Sequence, residues 1–248
     1  MDIQWFPGHM ARTMRTLQES LPQADLVIET CDARIPFSSR NPALGALLGA
    51  RPRMLLLNKA DLADPVLTRR WLDRLRREGM PALAADALSR KDLPRIRAEC
   101  FRLGAEVLEK ARAKGRKPRP VRVLVVGIPN TGKSSLINAL SGRKAFQVED
   151  RPGVTRGLQW IRTPDGLEFG DAPGVLWPSL GARGVQVRLA ATGAIKDAVL
   201  DQETLVMEVL ELLRVRYPEA LCRRFRLERE EVENLAPPDL LEQAAIRR

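Results

Sequence analysis

Short apolar runs alternate with amphipathic stretches of helical period through the first two thirds of the chain. Runs that are short and rich in Val, Ile and Leu are typical of buried strands, and strands that alternate with helices favour a parallel α/β sheet. Near the end of this region a polar Asp165-Gly166 turn predicts a hairpin between 158–162 and 167–170. The pattern predicts strands at 24–31, 53–57, 81–85 and 121–126 and helices at 41–50, 66–78 and 91–113.

The pattern changes near residue 180, beyond which only helical periodicity is found. One helix is predicted over 184–195, and Asp201 is placed to cap another whose apolar side chains share one face. Prolines further along the chain separate additional short helices. We therefore expect an α/β domain at residues 1–179 and a small all-α domain at residues 180–248.

The first residues of the chain have a pattern of their own. Pro7-Gly8 is a turn signal, so Trp5 and Phe6 are expected to anchor a non-helical lead-in before a helix that ends near Leu21. His9 is the single histidine of the protein and lies beside the start of this helix. A capping or surface role is the ordinary alternative to a functional role at such a position.

The strand at 121–126 runs into a glycine-rich loop, Gly127 to Ser134, and then into a helix. This context is typical of a phosphate-binding loop, because curled backbone N–H groups and a helix N-terminus both attract phosphate oxygens. Lys133 would reach the β- and γ-phosphates, and the Ser134 hydroxyl would ligate Mg²⁺. A chance match in a turn is the alternative. The expected phosphate-binding residues of the loop are Gly127, Pro129, Asn130, Thr131, Gly132, Lys133, Ser134 and Ser135.

A second motif, Asn58-Lys59-Ala60-Asp61, follows the predicted strand at 53–57. Guanine offers an N1–H and an exocyclic amino group, which adenine does not offer as a pair, and the Asp61 carboxylate would accept both. Asn58 would hold the base and the neighbouring loops, and the Lys59 stem would lie over the ring. A solvated turn is the usual meaning of such a tetrapeptide, but its combination with the phosphate loop predicts a guanine nucleotide site.

A third motif, Asp171-x-x-Gly174, follows the last predicted strand of the α/β region. Asp171 would hold Mg²⁺ through water, and the Gly174 N–H would bond the γ-phosphate. Thr155 would complete the Mg²⁺ shell, the alternative being an incidental threonine after a Pro-Gly turn.

These motifs belong to a GTPase but occur in an unusual order, because the guanine motif precedes the phosphate loop. Circular permutation explains the order, since a compact domain with neighbouring ends can be rejoined and recut elsewhere. The basic, Pro- and Gly-containing segment 114–120 would be the new joint. The switch at Asp171 would then lead directly into the C-terminal helices, so that loss of the γ-phosphate could be transmitted to them.

Composition adds information about partners. The formal net charge is +10 and the pI is about 10.2. Such a surface attracts polyanions, among which nucleic acid is the leading candidate. The alternative is a basic protein without a polyanionic partner, and charge alone does not decide between the two. The three cysteines are scattered and odd in number, which argues against a disulfide framework or a zinc site and favours a reducing compartment. No apolar run has the length of a membrane span, so a cytoplasmic protein without a membrane partner is expected.

The sequence resembles the circularly permuted GTPases of the YlqF type, also called the ribosome-biogenesis GTPase A family. The resemblance covers nearly the whole chain and includes the order of the motifs. It is carried by residues 5–10 (Trp-Phe-Pro-Gly-His-Met), 32–34 (Asp-Ala-Arg), 58–61, 127–134, 152–155 (Pro-Gly-Val-Thr), 171–174 and 192–196 (Thr-Gly-Ala-Ile-Lys).

The resemblance implies a GTP-hydrolysing assembly factor that binds ribosomal RNA in a late precursor of the large ribosomal subunit. GTP binding and hydrolysis would promote maturation of the precursor and release of the factor, which we expect to act as a monomer with Mg²⁺. The chain departs from the family at 85–87, where Ala-Asp-Ala replaces the usual small Ser/Ala-type contact to guanine. Asp86 and Ala87 are therefore expected to contact the base mainly through backbone.

The hydrolytic site lacks one group. Many GTPases place a water-orienting glutamine directly after Asp-x-x-Gly, but here Val175 and Leu176 occupy these positions, so slow intrinsic hydrolysis is expected. Three sources of the group stay open: His9, a K⁺ ion held by Asn130, and the bound ribosomal particle. Asn130 resembles the residue that holds K⁺ in cation-activated GTPases. The expected catalytic residues are His9, Lys133, Thr155 and Gly174.

Two competing functions remain: a nucleotide-gated RNA-binding module with incidental hydrolysis, and a GTPase that acts on another RNA particle. RNA contact is expected at the 114–120 joint and in the helical domain, although each basic run could also be a solvated face. The expected RNA-binding residues are Lys114, Arg116, Lys117, Arg119, Arg214, Arg216, Arg223, Arg224 and Arg226.

Overall fold

The structure is a computed structural model that describes residues 7–115, 117, 119–143, 158–177, 179–195 and 200–247, with side chains from residue 11 onward. The chain forms two compact units, one that ends at Leu180 and one that extends from Gly181 to Arg248. No helix within the described ranges is long and apolar enough to cross a membrane.

The larger unit contains a six-stranded sheet that alternates with helices, as the pattern predicts. Its strands are β1 (Leu26–Asp32), β2 (Arg53–Asn58), β3 (Ala82–Ala85), β4 (Val121–Gly127), β5 (Gln159–Arg162) and β6 (Leu167–Asp171). Its helices are α1 (Pro7–Ser20), α2 (Pro42–Leu48), α3 (Pro65–Arg77), α4 (Leu93–Ala113) and α5 (Lys133–Ser141).

The sheet has the order β3-β2-β1-β4-β6-β5, and every neighbouring pair is parallel except β5 with β6. The register aligns the carboxyl ends of the strands, since Asp32 pairs with Asn58 and Thr30 pairs with Gly127. The segments that follow β1, β2, β4 and β6 therefore leave the sheet at one edge, where ligand sites of α/β proteins are built.

Helices cover both faces of the sheet, which confirms the predicted fold class. On one face, α4 and α5 pack on β1, β2, β4 and β6 through a core that includes Ile96 and Ile137. On the other face, α1 and α2 contribute Leu17 and Leu44, and α3 contributes Leu75. All three cysteines of the chain are free thiols. Burial on both sides explains why the central strands β2 and β4 are mostly apolar rather than alternating.

The two sequence halves of this unit meet in the middle of the sheet, where β1 pairs with β4. Asp25, just before β1, accepts a hydrogen bond from the Arg122 backbone N–H at 2.9 Å. It also accepts hydrogen bonds from both terminal nitrogens of Arg119, at 2.6 and 2.7 Å. Asp25 is nearly buried. This carboxylate therefore fastens the end of the 114–120 joint to the base of the central strand.

The smaller unit contains α6 (Arg183–Ala191), α7 (Gln202–Arg216), α8 (Pro218–Phe225), α9 (Arg229–Asn234) and α10 (Pro237–Ile246). Leu210, Leu221, Val232 and Leu240 form its core. As predicted, the Asp201 side chain caps the N-terminus of α7. Its helical character was therefore correctly predicted from the periodicity.

Two helix boundaries differ from expectation. The helix predicted over 184–195 ends at Ala191, because Gly193 adopts a left-handed φ of +75° that terminates it. Pro7 and Gly8 are not a turn but the first residues of α1, since proline is well suited to the first helical position. Trp5 and Phe6 lie outside the described residues.

Candidate nucleotide-binding site

The phosphate loop between β4 and α5 has a backbone that only glycine can follow at two positions. Gly127 has a φ of +148°, and a Cβ there would lie 2.5 Å from the Thr30 carbonyl oxygen. Gly132 has a φ of +86°, and a Cβ there would lie 2.3 Å from Asn58 Nδ2. Asn130 also lies in the left-handed region, at a φ of +60°. The glycines are thus required by the close approach of β1 and of the guanine motif.

Thr131 is held by the interior of the protein. Its hydroxyl donates to the Ile128 carbonyl at 3.0 Å and lies 2.7 Å from the Thr30 hydroxyl. The side chain of this predicted phosphate-binding residue therefore braces the loop against β1, which leaves its backbone as the part available to a phosphate.

Lys133 is the buried cation of the site. It is only 6% exposed, and its Nζ donates to the Ile128 carbonyl at 2.8 Å across the loop. Burial lowers the pKa of Lys133 from 10.5 to about 8, while the negative charge of Asp171 acts in the opposite direction. The ammonium group thus spans the phosphate loop in a poorly solvated position, where an anionic ligand would stabilise it strongly.

Gly174 approaches the same place from the other side. A Cβ on Gly174 would lie 2.8 Å from the Pro129 nitrogen and 3.1 Å from Lys133 Nζ. The predicted γ-phosphate contacts from the loop and from the Asp-x-x-Gly segment are therefore adjacent.

Ser134 and Asp171, two of the predicted metal ligands, are in contact with each other. The Ser134 hydroxyl donates to Asp171 Oδ2 at 2.7 Å, and Asp171 is fully buried at the end of β6. A hydroxyl and a carboxylate are hard oxygen donors, which fits Mg²⁺. Thr155 lies outside the described residues.

Asn58 joins the guanine motif to the phosphate loop. Its Nδ2 donates to the Thr131 carbonyl at 2.8 Å, and its Oδ1 accepts the Ala87 N–H at 2.9 Å. The side chain is 2% exposed. One amide therefore connects the loops that follow β2, β3 and β4.

The other residues predicted to contact guanine are more accessible than Asn58: Lys59 and Asp86 are half-buried and Asp61 is exposed. Lys59 adopts a φ of +59°, and Asp61 lies exposed in a short 3₁₀ turn, Ala60–Leu62. Asp86 accepts the Leu88 N–H at 2.8 Å, and its own N–H donates to Asp92 at 3.0 Å. Asp86 is thus a turn residue in the free protein, while Asp61 presents the carboxylate that the guanine prediction requires.

Asp32 was not predicted as a site residue. Its buried carboxylate accepts two hydrogen bonds from the Arg34 guanidinium, at 2.9 and 2.6 Å, and lies 3.7 Å from Lys59 Nζ. The hydrogen bond with Asp32 raises the pKa of Arg34, and the negative charge of Asp61 acts in the same direction. Asp32 therefore positions two cations beside the guanine motif. The signal that could have drawn attention to it is a polar residue at the end of a buried strand.

The segment after Asp-x-x-Gly is buried and apolar. Val175 is 3% exposed, its N–H donates to the Gly127 carbonyl at 3.2 Å, and its carbonyl accepts Asn41 Nδ2 at 3.0 Å. Leu176 is buried as well. The position where a glutamine would orient water therefore has no polar side chain. The backbone of His9 lies in the first turn of α1, but its side chain falls outside the described residues.

The predicted RNA-binding residues differ in availability. Arg119 is paired with Asp25, and Arg214 donates to the Leu235 carbonyl and contacts Glu211. Arg116 lies outside the described residues. The remaining candidates are exposed: Lys114, Lys117, Arg216, Arg223, Arg224 and Arg226.

Known proteins resemble the chain over most of its length. Residues 122–232 match the family described as 50S ribosome-binding GTPase. The chain is 45% identical over 243 residues to ribosome biogenesis GTPase A of Priestia megaterium, covering 98% of this chain and 82% of that protein. It is 46% identical over 228 residues to the protein of that name from Bacillus licheniformis, covering 92% and 81%.

A solved structure resembles the fold as well. GNP-bound YlqF from T. maritima has a TM-score of 0.59 at 22% sequence identity, covering 94% of this chain and 95% of that one. This likeness confirms the permuted α/β fold, and the sequence identities extend across both compact units.

Proposed function

Because the chain belongs to the ribosome biogenesis GTPase A family, and is thus a GTP-hydrolysing enzyme of ribosome biogenesis, we propose that its particle is a late large-subunit precursor. It binds the precursor in the GTP form, promotes its maturation and leaves after hydrolysis. The observation that best supports binding of GTP is the position of the Asn58 side-chain amide. This amide connects the guanine motif to the phosphate loop, which lie in different halves of the permuted domain.

The chain's own residues divide the work on GTP. Asp61 reads the guanine edge, Lys133 neutralises the β- and γ-phosphates, and the Gly174 N–H orients the γ-phosphate. Mg²⁺, which the GTPase family generally uses, would be held by Ser134, Asp171 and Thr155 and would supply charge stabilisation of the phosphates. The closeness of Gly174 to Lys133 supports this division.

Hydrolysis by the free protein is slow in this proposal, because buried Val175 offers no hydrogen bond to the attacking water. The missing group comes from His9, from K⁺ at Asn130, or from the bound particle. A bound partner that supplies such a group raises GTPase rates by about 10³–10⁵-fold.

The helical unit would bind ribosomal RNA, and the switch segment at Asp171–Gly174 would connect the state of the nucleotide to it. We place the factor in the cytoplasm as a monomer. The net charge of +10 and the names of the relatives support the binding of ribosomal RNA.

The deciding experiment measures GTP turnover alone, with isolated large subunits and with isolated small subunits, each in K⁺ and in Na⁺. We expect strong stimulation by large subunits and little by small ones. Stimulation by small subunits alone would show that the factor acts on another particle. If protein locked with a non-hydrolysable GTP analogue still completes maturation and dissociates, hydrolysis is incidental.

Two variants separate the sources of the missing group. Particle-stimulated turnover that survives in His9→Ala would exclude His9. Equal rates in K⁺ and Na⁺ would exclude the monovalent ion and leave the particle itself.

A further inference from the structure

The positive charge of the protein is concentrated on one helix that does not belong to the nucleotide site. Helix α3 has five arginines and one aspartate in 13 residues, a net charge of 5 − 1 = +4. Helix α4 has five basic and three acidic residues in 21, a net charge of 5 − 3 = +2. Helix α3 thus carries a large share of the net charge of +10.

These arginines lie on the solvent side of α3. Thr68 and Leu75 are buried against the sheet, whereas Arg69, Arg70 and Arg77 are exposed. Helical geometry of 100° per residue places these three within one arc opposite the buried pair. The arginine face, defined as Arg69, Arg70 and Arg77, therefore presents three guanidinium groups to solvent, and the exposed Asp73 lies within the same arc.

The carboxylates of Asp73 and Glu78 pair with arginines that lie outside the arginine face. Arg74 pairs with Glu78 at 2.9 Å, and Arg76 pairs with Asp73 at 2.8 Å. Within the described part of the chain Arg69, Arg70 and Arg77 make no ion pair, and Arg77 donates only to the Asp73 carbonyl at 3.3 Å. Arg119, by contrast, is held by Asp25 at the joint.

Charge and geometry both favour a phosphate backbone as the ligand. Eight residues of helix separate Arg69 from Arg77, a rise of about 12 Å. A nucleic-acid duplex has roughly one charge per 1.7 Å of its axis, so several phosphates fit within this length. Guanidinium groups bind phosphate oxygens in bidentate fashion, which suits arginine better than lysine for such contacts.

We propose that the arginine face of α3 docks on the phosphate backbone of RNA in the particle on which the enzyme acts. The proposal rests on the proposed function for the identity of the particle. The guanine motif at 58–61 leads directly into α3, whose first residue is Pro65. RNA bound here would therefore lie next to the loop that reads the base.

The test compares two triple variants of the full chain that lose the same charge. One is Arg69→Gln/Arg70→Gln/Arg77→Gln, and the control is Arg95→Gln/Arg102→Gln/Arg112→Gln on α4. Binding to isolated large subunits and to a mixed-sequence RNA duplex is measured over a salt series, together with basal GTP turnover and the melting temperature.

We expect the α3 variant to bind both probes at least tenfold more weakly at low salt, and the slope of log K against log salt to become shallower by about 2–3. The control should bind nearly as wild type, and all three proteins should share basal turnover and melting temperature. If wild type does not bind large subunits, the proposed function fails. If wild type binds and the two variants bind equally well, the arginine face is not the RNA contact.

A third result would also overturn the proposal. If the α3 variant loses affinity for subunits while its salt slope stays that of wild type, or if it binds the RNA duplex normally, the face contacts a ribosomal protein instead.

Discussion

The guanine side and the phosphate side of the site are built in opposite ways. On the guanine side, Asn58 and Asp32 already hold the loops and Arg34 through bonds of 2.6–2.9 Å, and Asp32 lies 3.7 Å from Lys59 Nζ. On the phosphate side, Lys133 is a buried cation with a pKa of about 8, and Val175 is an apolar wall. Base recognition is therefore prepared before GTP arrives, whereas the phosphate side needs the negative charge of its ligand.

Because of this difference, selectivity for guanine and catalysis of hydrolysis depend on different parts of the site. A preorganised base site loses little entropy on binding and discriminates well. A buried ammonium favours an anionic ligand, but nothing nearby orients water. Selectivity for guanine and the rate of hydrolysis should therefore respond to different substitutions.

The largest effect is expected from Lys133→Ala, which removes the cation of the phosphate side. Turnover of GTP should fall about 10²–10³-fold, as for other groups that stabilise transition-state charge. The melting temperature without nucleotide should not fall, because a buried charge is costly to the folded state. Lys110→Ala on α4 is the control. A normal rate in Lys133→Ala would contradict the assignment.

Asn58→Ala removes the side chain that connects the guanine side of the site to the phosphate side. It leaves the buried Ala87 N–H and Thr131 carbonyl without their partner, which should lower the free energy of unfolding by about 2–5 kcal/mol. Denaturant unfolding without nucleotide measures this. The exposed Asn234→Ala should change it little, and equal stability of the two variants would show that Asn58 is not a structural connection.

Asp61→Asn addresses the guanine side alone. An asparagine amide can donate to the C2 carbonyl of xanthine where the carboxylate accepts from the guanine amino group. Preference for GTP over xanthosine triphosphate should fall roughly 10–100-fold, with the melting temperature unchanged. Competition binding measures it, with Asp239→Asn as control. An unchanged preference would exclude Asp61 as the guanine reader.

Asp32→Asn should weaken the guanine side more mildly. Lys59 and Arg34 lose their shared anion, so the KM for GTP should rise about 3–10-fold while kcat stays near wild type. Steady-state kinetics separates the two constants. A lower kcat at constant KM would place Asp32 on the catalytic side instead.

The smallest effect is a pH dependence that comes from the phosphate side. In the free protein Lys133 loses its proton near pH 8, so GTP affinity should fall by at most about tenfold per unit above pH 8. Between pH 8 and 10.5 the unfolded chain binds more protons than the folded one, so the Lys133 contribution to stability rises with pH in that window. Binding titrations and unfolding across pH 7–9.5 test both signs, and Lys133→Ala should lack both trends.

The sequence was sufficient for the α/β fold, because buried strands and amphipathic helices have distinct periods, and for the motif order. It placed Asn58, Lys133, Ser134 and Gly174 at one edge, as the structure does. It could not reveal that Asp32 holds Lys59, since that contact depends on the register between β1 and β2. The pairing of Arg119 with Asp25 was equally invisible, because it joins residues 94 positions apart.

The arginine face illustrates the same limit. The sequence shows five arginines in α3, but amphipathic helices of this kind are common and many such charges are paired. Only the positions of Asp73 and Glu78 relative to each guanidinium reveal which arginines keep their full charge toward solvent.

Because Asp25 holds Arg119 and Arg122 across the joint, we expect the enzyme to tolerate division into two pieces. The piece up to residue 113 holds the base-reading loops, and the piece from 119 onward holds the phosphate loop. They meet along β1 and β4, and the fastening carboxylate binds the second piece near its new end. If the backbone is cut near Gly115, the two pieces should associate into a two-chain enzyme. GTP turnover that returns when the pieces are mixed would report their association, as in a protein-fragment complementation sensor.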